Sequence, residues 1–260
     1  MNPFIGQLSF LSKRLSRRQS RLAKGFTLTE LAVVMVILAL LIGGLLLPLA
    51  AQDEMRRTQE TQKILTDIHE ALIGYAIIND RLPCPAMADS NGLAKPESAG
   101  NCVADFSNGF VPAVTLGLMP IDQAGFAIDA WGNRIRYALS TASSNALSNG
   151  IRTYYQSSGG FPSADLRVCT SSTAISAGKC ANPETTNLLT KSAVAVIFSV
   201  GKNGGDNGGA DEQVNKGASP LFISHAKTDD KFSNGEFDDI VIWLSPNILY
   251  SRMIAAGRLP

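Results

Sequence analysis

Residues 24–51 read KGFTLTELAVVMVILALLIGGLLLPLAA and decide the architecture of this 260-residue chain. Glu30 is the only acidic side chain in this stretch, and residues 31–51 are uncharged and mostly Leu, Ile, Val and Ala. At about 1.5 Å per residue, that uncharged run forms about 32 Å of helix, which matches the ~30 Å hydrocarbon core of a bilayer. The pattern therefore predicts a transmembrane helix over residues 26–51.

The charges are distributed unevenly along the chain. Residues 1–25 contain six Lys or Arg and no acid, and the rest carries 17 basic groups against all 22 acidic groups. Because positive charge is retained on the cytoplasmic side of a membrane span, the N-terminus is predicted to be cytoplasmic and the body to lie across the membrane. The acidic body argues against sequence-independent nucleic-acid binding, so we expect no nucleic-acid partner.

Gly43, Gly44 and Pro48 interrupt the apolar run near its end. Proline removes a helical hydrogen bond and glycine is a weak helix former, so the pattern predicts a kinked or loosened helix around residues 44–48. Membrane helices also tolerate both residue types without a special function, and that alternative stays open.

An amphipathic helix is predicted to follow over residues 52–80. Apolar residues recur there at three- and four-residue spacing, with polar side chains between them. They are Ile64, Leu65, Ile68, Leu72, Tyr75 and Ala76. Pro83 disfavours helix at the residue before it, so the segment NDRLPCP (79–85) is expected to end the helix. The apolar stripe needs a sheet or another element to cover it.

Short segments rich in β-branched or aromatic residues, bounded by Gly, Asn, Ser or Pro, predict β-strands within residues 81–260. They are residues 133–139, 193–200, 220–224 and 238–245, with 152–156 as a weaker candidate. Long polar loops are predicted over residues 86–110, 157–190 and 201–219. We therefore expect an α+β fold in which a long N-terminal helix, transmembrane and then amphipathic, packs on a small antiparallel β-sheet of a globular, β-rich domain.

The four cysteines fall into two local pairs, Cys84 with Cys102 and Cys169 with Cys180. Neither pair has the short C-x-x-C spacing of a zinc site, so disulfides are favoured over metal ligation. Disulfides would require an oxidising compartment. The sequence allows three pairings, and the two local ones simply close the shortest loops.

Catalytic motifs are missing from the sequence. The chain lacks G-x-S-x-G, H-E-x-x-H and P-loop sequences, and its only histidines are His69 and His225. The glycine-rich stretch GKNGGDNGG (201–209) lacks the Lys-Ser/Thr ending of a phosphate-binding loop. We expect that the protein is not an enzyme.

The segment GFTLTEL (25–31), with a basic leader before it and an apolar run after it, resembles the N-terminal signature of type IV pilins and type II secretion pseudopilins. The resemblance implies that residues 1–25 are a leader peptide, that prepilin peptidase cuts between Gly25 and Phe26, and that the same enzyme methylates Phe26. It also implies a fibre in which the Glu30 carboxylate pairs with the new amine of a neighbouring subunit and sets the axial register.

On this resemblance the protein is a structural subunit of a type IV pilus or a type II secretion pseudopilus, assembled into a helical fibre through its N-terminal helix. Its partners would be prepilin peptidase, other pilin or pseudopilin subunits and the inner-membrane assembly platform. The subunit would span the inner membrane with a periplasmic, pilin-like C-terminal domain before it enters the fibre. The helix of such subunits loosens on leaving the bilayer, which gives Gly43, Gly44 and Pro48 a role. The alternative is a minor pilin-like binding module for adhesion or DNA uptake at a pilus tip.

Weaker similarity to pseudopilins extends into the body. The carrying segments are DIHEALIGYAIINDRLPCP (67–85), IDAWGNRIRYALS (128–140), SVGKNGGDNGGADE (199–212) and FDDIVIW (237–243). In pseudopilins the late loop binds calcium, so the resemblance suggests this one cofactor, with Asp206, Asp211, Asp238 and Asp239 as ligands. About thirty residues separate the glycine-rich loop from Asp238, a longer interval than the family pattern, and a solvated turn is the alternative.

Overall fold

The computed structural model describes residues 25–96, 101–102, 109–141, 147–173, 175–176, 178–181, 187–204 and 208–260, without the side chains of residues 44–49. The chain divides into two compact units, Met1–Ala51 and Gln52–Pro260. Helix α1 (Leu28–Asn79) begins in the first unit and ends in the second. The predicted leader lies outside the described residues, except for Gly25.

In the first unit, the apolar side chains of α1 are exposed. No other described residue of this unit covers them. The large apolar side chains from Leu31 to Ile42 are 46–71% exposed. Among the described residues, no helix is both long enough and apolar enough to cross a membrane. The transmembrane segment predicted over residues 26–51 therefore stays a prediction.

The backbone of α1 is helical through Gly43, Gly44 and Pro48. Beyond the adjoining backbone of the helix itself, a Cβ added at Gly43 would meet none of the described atoms within 4 Å. The helix is therefore not broken at the residues for which a loosened helix is predicted, and the role assigned to these three residues stays a prediction.

From Gln52 onward α1 is amphipathic, as predicted. Leu65, Ile68, Leu72 and Ala76 are buried, with exposed fractions of 0–1%. Burying a Leu or Ile side chain contributes about 1.5–3 kcal/mol, so this stripe fixes the second half of the helix on the body.

Two three-stranded sheets form the body. The first has the order β1 (Arg136–Leu139), β4 (Ala195–Ser199), β6 (Ile240–Leu244) and is antiparallel throughout. The second has the order β3 (Leu188–Ala193), β2 (Leu166–Cys169), β5 (Leu221–Ile223). In the second sheet β2 pairs with β3 antiparallel and with β5 parallel. The α+β class is confirmed, but the sheet predicted as one antiparallel layer is two sheets, one of them mixed.

The first sheet lies between α1 and the second sheet. On one face Tyr137, Ile197 and Leu244 share a core with the apolar stripe of α1. On the other face Val196 and Phe198 pack with side chains of β2 and β5. All five residues of β4 are buried, which explains why AVIFS has no apolar–polar alternation.

Shorter helices complete the body: α2 (Ala113–Leu116), α3 (Ile151–Ser158), α4 (Ala210–Asn215) and α5 (Pro246–Ala255). The strand predicted weakly over residues 152–156 is wrong, because these residues belong to α3. Ile151 and Tyr155 lie one helical turn apart on one face of this helix, and both contact the main core. The two glycines Gly150 and Gly159 bound the helix.

Disulfides Cys84–Cys102 and Cys169–Cys180 are both formed. The local pairing is therefore confirmed. The first bridge belongs to the main core under α1, and the second packs with residues of β5. Cys102 lies within the loop predicted over residues 86–110, and Cys169 and Cys180 both lie within the one predicted over residues 157–190.

Candidate functional site

The N-terminal end of α1 contains the residues that the sequence links to processing and assembly. Gly25 and Phe26 precede the helix and are exposed, Phe26 to 86%. The Thr27 N–H and hydroxyl both donate to Oε2 of Glu30, at 2.9 and 2.8 Å. The Glu30 N–H in turn donates to the Thr27 hydroxyl at 3.2 Å. Thr27 and Glu30 therefore form a capping box at the start of α1.

The capping box is a function of Glu30 that sequence reasoning missed, although T-x-x-E is its ordinary signature. It explains how a carboxylate is accommodated beside an apolar run in the single chain. Both hydrogen bonds from Thr27 use Oε2 of Glu30, and the residue as a whole is exposed. Glu30 therefore caps its own helix and is still accessible to a cationic partner.

A second group of functional side chains lies in the body, where Glu212, Asp238 and Asp239 form an acidic cluster. Glu212 belongs to α4, and the two aspartates directly precede β6. One carboxylate oxygen of each residue lies within 4.8 Å of those of the other two. The three residues are only 0–7% exposed. Three buried carboxylates at this distance repel one another strongly unless a proton or a cation compensates them.

The cluster differs from the ligand set suggested by the sequence. Asp238 and Asp239 belong to it, Asp206 lies outside the described residues, and Asp211 points to a different network. Glu212 is the third member of the cluster, in the position that the sequence assigned to Asp211, and sequence reasoning missed it. A signal was available, because Asp211 and Glu212 are adjacent in the sequence, and only one of two neighbouring helical residues faces the cluster.

The glycine-rich loop folds back onto the cluster. Gly201 and Gly208 have φ values of +65° and +36°, which favour glycine. A Cβ at Gly201 would collide with the Asp238 carboxylate, and one at Gly208 would collide with the Glu212 carboxylate. The loop needs glycine at these two positions because its backbone runs directly along the carboxylates.

Backbone and amide donors hold the carboxylates in place. The Lys202 and Asn203 N–H groups donate to Oδ2 of Asp238, at 3.0 and 3.3 Å. The Asp238 N–H donates to Oε1 of Glu212 at 2.7 Å. Asn203 Nδ2 donates to both Glu212 oxygens, at 3.2 and 3.1 Å. The loop and the start of β6 are thus connected through side-chain oxygens.

Asn215 of α4 positions the third carboxylate. Its Nδ2 donates to Oδ2 of Asp239 at 2.7 Å and to the Ile223 carbonyl at 3.1 Å. Its Oδ1 accepts from the Ile223 N–H at 2.6 Å. One amide therefore closes the outer edge of β5 and orients Asp239.

Several oxygens of the cluster are not satisfied. Within the described residues, Oδ1 of Asp238, Oδ1 of Asp239 and Oδ1 of Asn203 are buried without a hydrogen-bond partner. Burial, together with the Glu212 charge, raises the pKa of Asp238 to about 6. Burial also raises the pKa of Asp239 to about 8, against the hydrogen bond from Asn215. The cluster therefore places unpartnered oxygens on carboxyl groups whose ionised forms are disfavoured by burial.

The oxygens of this cluster suit a hard cation as ligands. Carboxylate and amide oxygens are the ligands that Ca²⁺ takes, usually six to eight of them. Among the described residues, no softer ligand is available near the cluster, because the cysteines are in disulfides and both ring nitrogens of His225 are hydrogen-bonded, one to Asp211 and one to the Ala226 carbonyl. The residues present therefore suit calcium better than zinc.

Asp211 serves a neighbouring polar network instead. Its carboxylate accepts from the Ser172 N–H at 2.6 Å, from Asn234 Nδ2 at 3.1 Å and from His225 Nε2 at 3.0 Å. Burial alone would raise the pKa of Asp211, but these hydrogen bonds hold it below its usual value. The network ties α4 to the segment after β2 and to the loop before β6.

The segment DAWGN (129–133) forms a tight turn that contacts the glycine-rich loop. Asp129 Oδ1 accepts from the N–H groups of Trp131 and Asn133, at 2.9 and 2.8 Å. The Ser199 hydroxyl donates to Asp129 Oδ2 at 2.6 Å, and Asn133 Nδ2 donates to the Gly201 carbonyl at 2.6 Å. The polar side chains of this segment therefore connect the turn to the end of β4 and to the start of the glycine-rich loop.

Comparison with known families gives one match. Residues 20–46 match the family described as the prokaryotic N-terminal methylation motif, the signature of type IV pilins and pseudopilins. The predicted resemblance is therefore confirmed at the N-terminus, and the match includes none of the body. No curated protein and no solved structure matches the chain.

Proposed function

We propose that this chain, which carries the N-terminal methylation motif of type IV pilins and pseudopilins, is a structural subunit of a type IV pilus or a type II secretion pseudopilus. The match over residues 20–46 is the observation that carries the proposal. The body adds support, since an amphipathic helix packed on an antiparallel sheet suits a pilin-like subunit. The subunit enters a helical fibre through α1.

Processing precedes assembly. Prepilin peptidase removes residues 1–25 and methylates Phe26, and the exposure of Gly25 and Phe26 supports their access to an enzyme. The uncharged residues 31–51 anchor the chain in the inner membrane, with the basic leader in the cytoplasm. Two disulfides in the body support a periplasmic location, because disulfides persist in oxidising compartments.

In the fibre, the Glu30 carboxylate pairs with the Phe26 amine of a neighbouring subunit. Two charges that are each costly in an apolar environment become acceptable when they are paired and hydrogen-bonded. The capping box supports this role, since it fixes the carboxylate at the first turn of α1 before assembly. Only one axial stagger lets both charges find partners, so the pair also sets the register.

Recovery of the protein in fibres tests the proposed function. Cells would co-express the chain with a prepilin peptidase, an assembly platform and an authentic fibre subunit as positive control. We expect the chain in sheared surface filaments if it serves a pilus, or in periplasmic fibres if it serves a pseudopilus. Retention as membrane-bound monomers, while the control subunit assembles, would contradict the proposal.

We further propose that the acidic cluster binds calcium through Glu212, Asp238 and Asp239. The unpaired buried oxygens of the two aspartates support it, as does the glycine loop that lies against the carboxylates. The bound cation would supply positive charge to the cluster. The backbone of the glycine-rich loop and the Asn215 amide orient the oxygens.

Calorimetric titration of the full chain in detergent with calcium chloride tests the cation site. We expect binding by the wild type and by Asp230→Asn, a control in which an exposed aspartate outside the cluster is neutralised. Asp239→Asn should remove binding, because it deletes a buried ligand charge. Equal binding by wild type and Asp239→Asn, or none by the wild type, would contradict the site.

A further inference from the structure

We infer that the acidic cluster is coupled to the base of α1, defined here as residues 52–62, by two polar bridges centred on Glu54 and Thr61. This inference rests on the proposed calcium site and deepens it by naming what cation binding controls. When a cation neutralises the cluster, the base of α1 is held on the body. Without the cation, the base of α1 detaches more readily.

The first bridge converges on the Glu54 carboxylate. Lys227 Nζ donates to Glu54 Oε1 at 2.6 Å, and Lys202 Nζ lies 3.7 Å from Glu54 Oε2. The Lys202 backbone is in turn fixed by Asp238, whose Oδ2 accepts its N–H at 3.0 Å. A change in the position of the Asp238 carboxylate therefore moves a residue that holds α1.

Lys227 is linked to the same aspartate from the other side. Thr228, the next residue, pairs with Phe237 by two backbone hydrogen bonds of 3.0 and 3.2 Å. Phe237 directly precedes Asp238. Both lysines that contact Glu54 therefore belong to segments whose backbone positions depend on Asp238.

The second bridge runs from α1 to the DAWGN turn. The Ala130 N–H donates to the Thr61 hydroxyl at 3.1 Å, and Arg57 Nη1 donates to the Ala130 carbonyl at 2.7 Å. One backbone residue of the turn is therefore held at both of its polar groups by side chains of α1.

The same turn reaches the cluster through the glycine-rich loop. The Ser199 hydroxyl donates to Asp129 at 2.6 Å and accepts from the Gly201 N–H at 3.1 Å. Asn133 Nδ2 donates to the Gly201 carbonyl at 2.6 Å. Gly201 lies so close to the Asp238 carboxylate that a Cβ would collide with it. The two bridges thus meet at Asp238.

Apolar packing contributes little to holding the base of α1. Thr61 is the first buried residue of the second unit, and the first buried apolar residue is Leu65. A cavity of about 250 Å³ lies between this part of the helix and the cluster, lined among others by Glu54, Asp238 and Asp239. Because segments with few buried apolar contacts open at low free-energy cost, the polar bridges decide how often the base detaches.

Charge repulsion within the cluster connects cation binding to these bridges. Glu212, Asp238 and Asp239 repel one another when they are ionised. A compensating cation removes this repulsion and fixes Asp238, and with it Gly201 and the backbone of Lys202. Since α1 is the element through which the proposed fibre forms, the loaded subunit presents a helix with a fixed base.

Hydrogen exchange of the full chain in detergent, with calcium chloride or with EDTA, tests this inference. We expect calcium to slow exchange of the amides of residues 52–62 by about fivefold or more in the wild type, a typical size for coupled sites. The bridge variant is Glu54→Gln with Thr61→Val, and Glu54→Gln alone is the milder second variant. The matched control is Glu60→Gln with Thr66→Val, two exposed positions on the same helix.

The outcomes separate the coupling from the calcium site. Calcium binding by all variants, with slowed exchange in the wild type and the control but not in the bridge variants, supports the coupling. Calcium binding without slowed exchange, or with the same slowing in the bridge variants, overturns it and leaves the site intact. Absence of calcium binding to the wild type overturns both.

Discussion

At the residue scale, the capping box and the proposed pairing in the fibre place different demands on the Glu30 carboxylate. As the third residue of α1 it accepts hydrogen bonds from Thr27 and caps the helix, a task that needs only an acceptor. Pairing with a neighbour's amine needs a negative charge. The two tasks can therefore be separated by an isosteric change that keeps the acceptor and removes the charge.

Glu30→Gln should leave leader cleavage intact and reduce incorporation into fibres by about tenfold or more, since a hydrogen bond to a charged group contributes about 1.5–3 kcal/mol. The amide oxygen still accepts from Thr27, so the cap is kept. Immunoblots of sheared or periplasmic fibres against total cell protein measure the effect.

Thr27→Ala is the matched control, because it removes the hydroxyl of the cap and keeps the carboxylate. It should assemble close to normally. Normal assembly of Glu30→Gln would show that the charge of Glu30 does not act in the fibre.

A second prediction at this scale concerns pH. The pKa values of Asp238 and Asp239 are raised to about 6 and about 8 by burial, above the value near 4 of an unfolded aspartate. The folded protein then holds protons that the unfolded chain has released, so its free energy of unfolding falls as pH rises from about 4 to about 8. Denaturant titrations in EDTA across this range measure the fall.

Asp239→Asn should flatten this pH dependence, because the buried group no longer ionises. Calcium should do the same for the wild type, by compensating the ionised form. A free energy of unfolding that rises between pH 4 and 8 in EDTA would contradict the account of the cluster.

At the element scale, α1 combines two surface patterns within one helix. In its first half, the exposed side chains that the structure describes are mostly apolar. Its second half has a stripe of buried apolar side chains at Leu65, Ile68 and Leu72. The proposed function uses the first half for the membrane and the fibre and the second half to hold the body. Weak helix formers at Gly43 and Gly44 lie in the half that changes environment.

Replacing Gly43 and Gly44 by Leu should leave membrane insertion intact and impair assembly. The change raises helix propensity by about 1 kcal/mol per residue, which increases the cost of loosening the helix. It creates no clash at Gly43, where a Cβ has no neighbour within 4 Å. Carbonate extraction measures insertion, and fibre recovery measures assembly; normal incorporation of the double variant would refute the role.

The elements that the sequence predicted are those with strong local signals. The stripe from Ile64 to Ala76 has helical spacing, and the segments around β4 and β6 are rich in β-branched residues. Helix α5 was not predicted, although Ser245 caps it by accepting from the Ile248 N–H. Strands β2 and β3 were not predicted either, because LRVC and LLTKSA each carry a charge and acquire their strand geometry by pairing with each other.

At the scale of the whole molecule, the chain separates its tasks between two units. Met1–Ala51 contains the residues proposed for processing and assembly, and Gln52–Pro260 contains the core, the disulfides and the acidic cluster. The proposed coupling through Glu54 and Thr61 acts entirely within the second unit. This coupling acts on the base of α1, which directly follows the first unit in the sequence.

The two candidate sites differ in how far a sequence can reveal them. Gly25, Phe26 and Glu30 are recognised together because they lie within six consecutive residues of the sequence. The cluster is assembled by tertiary structure, since Glu212 meets Asp238 across 26 residues that include α4 and β5. The sequence identified the aspartate pair, whereas its third member depends on which face α4 turns inward.

The central claim is that the chain is processed as a prepilin, and the mass of its mature N-terminal peptide tests it most directly. The protein would be isolated from cells that contain a prepilin peptidase and from matched cells that lack it. With the peptidase we predict a chain that begins at N-methylated Phe26, and without it a chain that keeps residues 1–25. A chain that retains Met1 in the presence of a peptidase that processes a control prepilin would contradict the account.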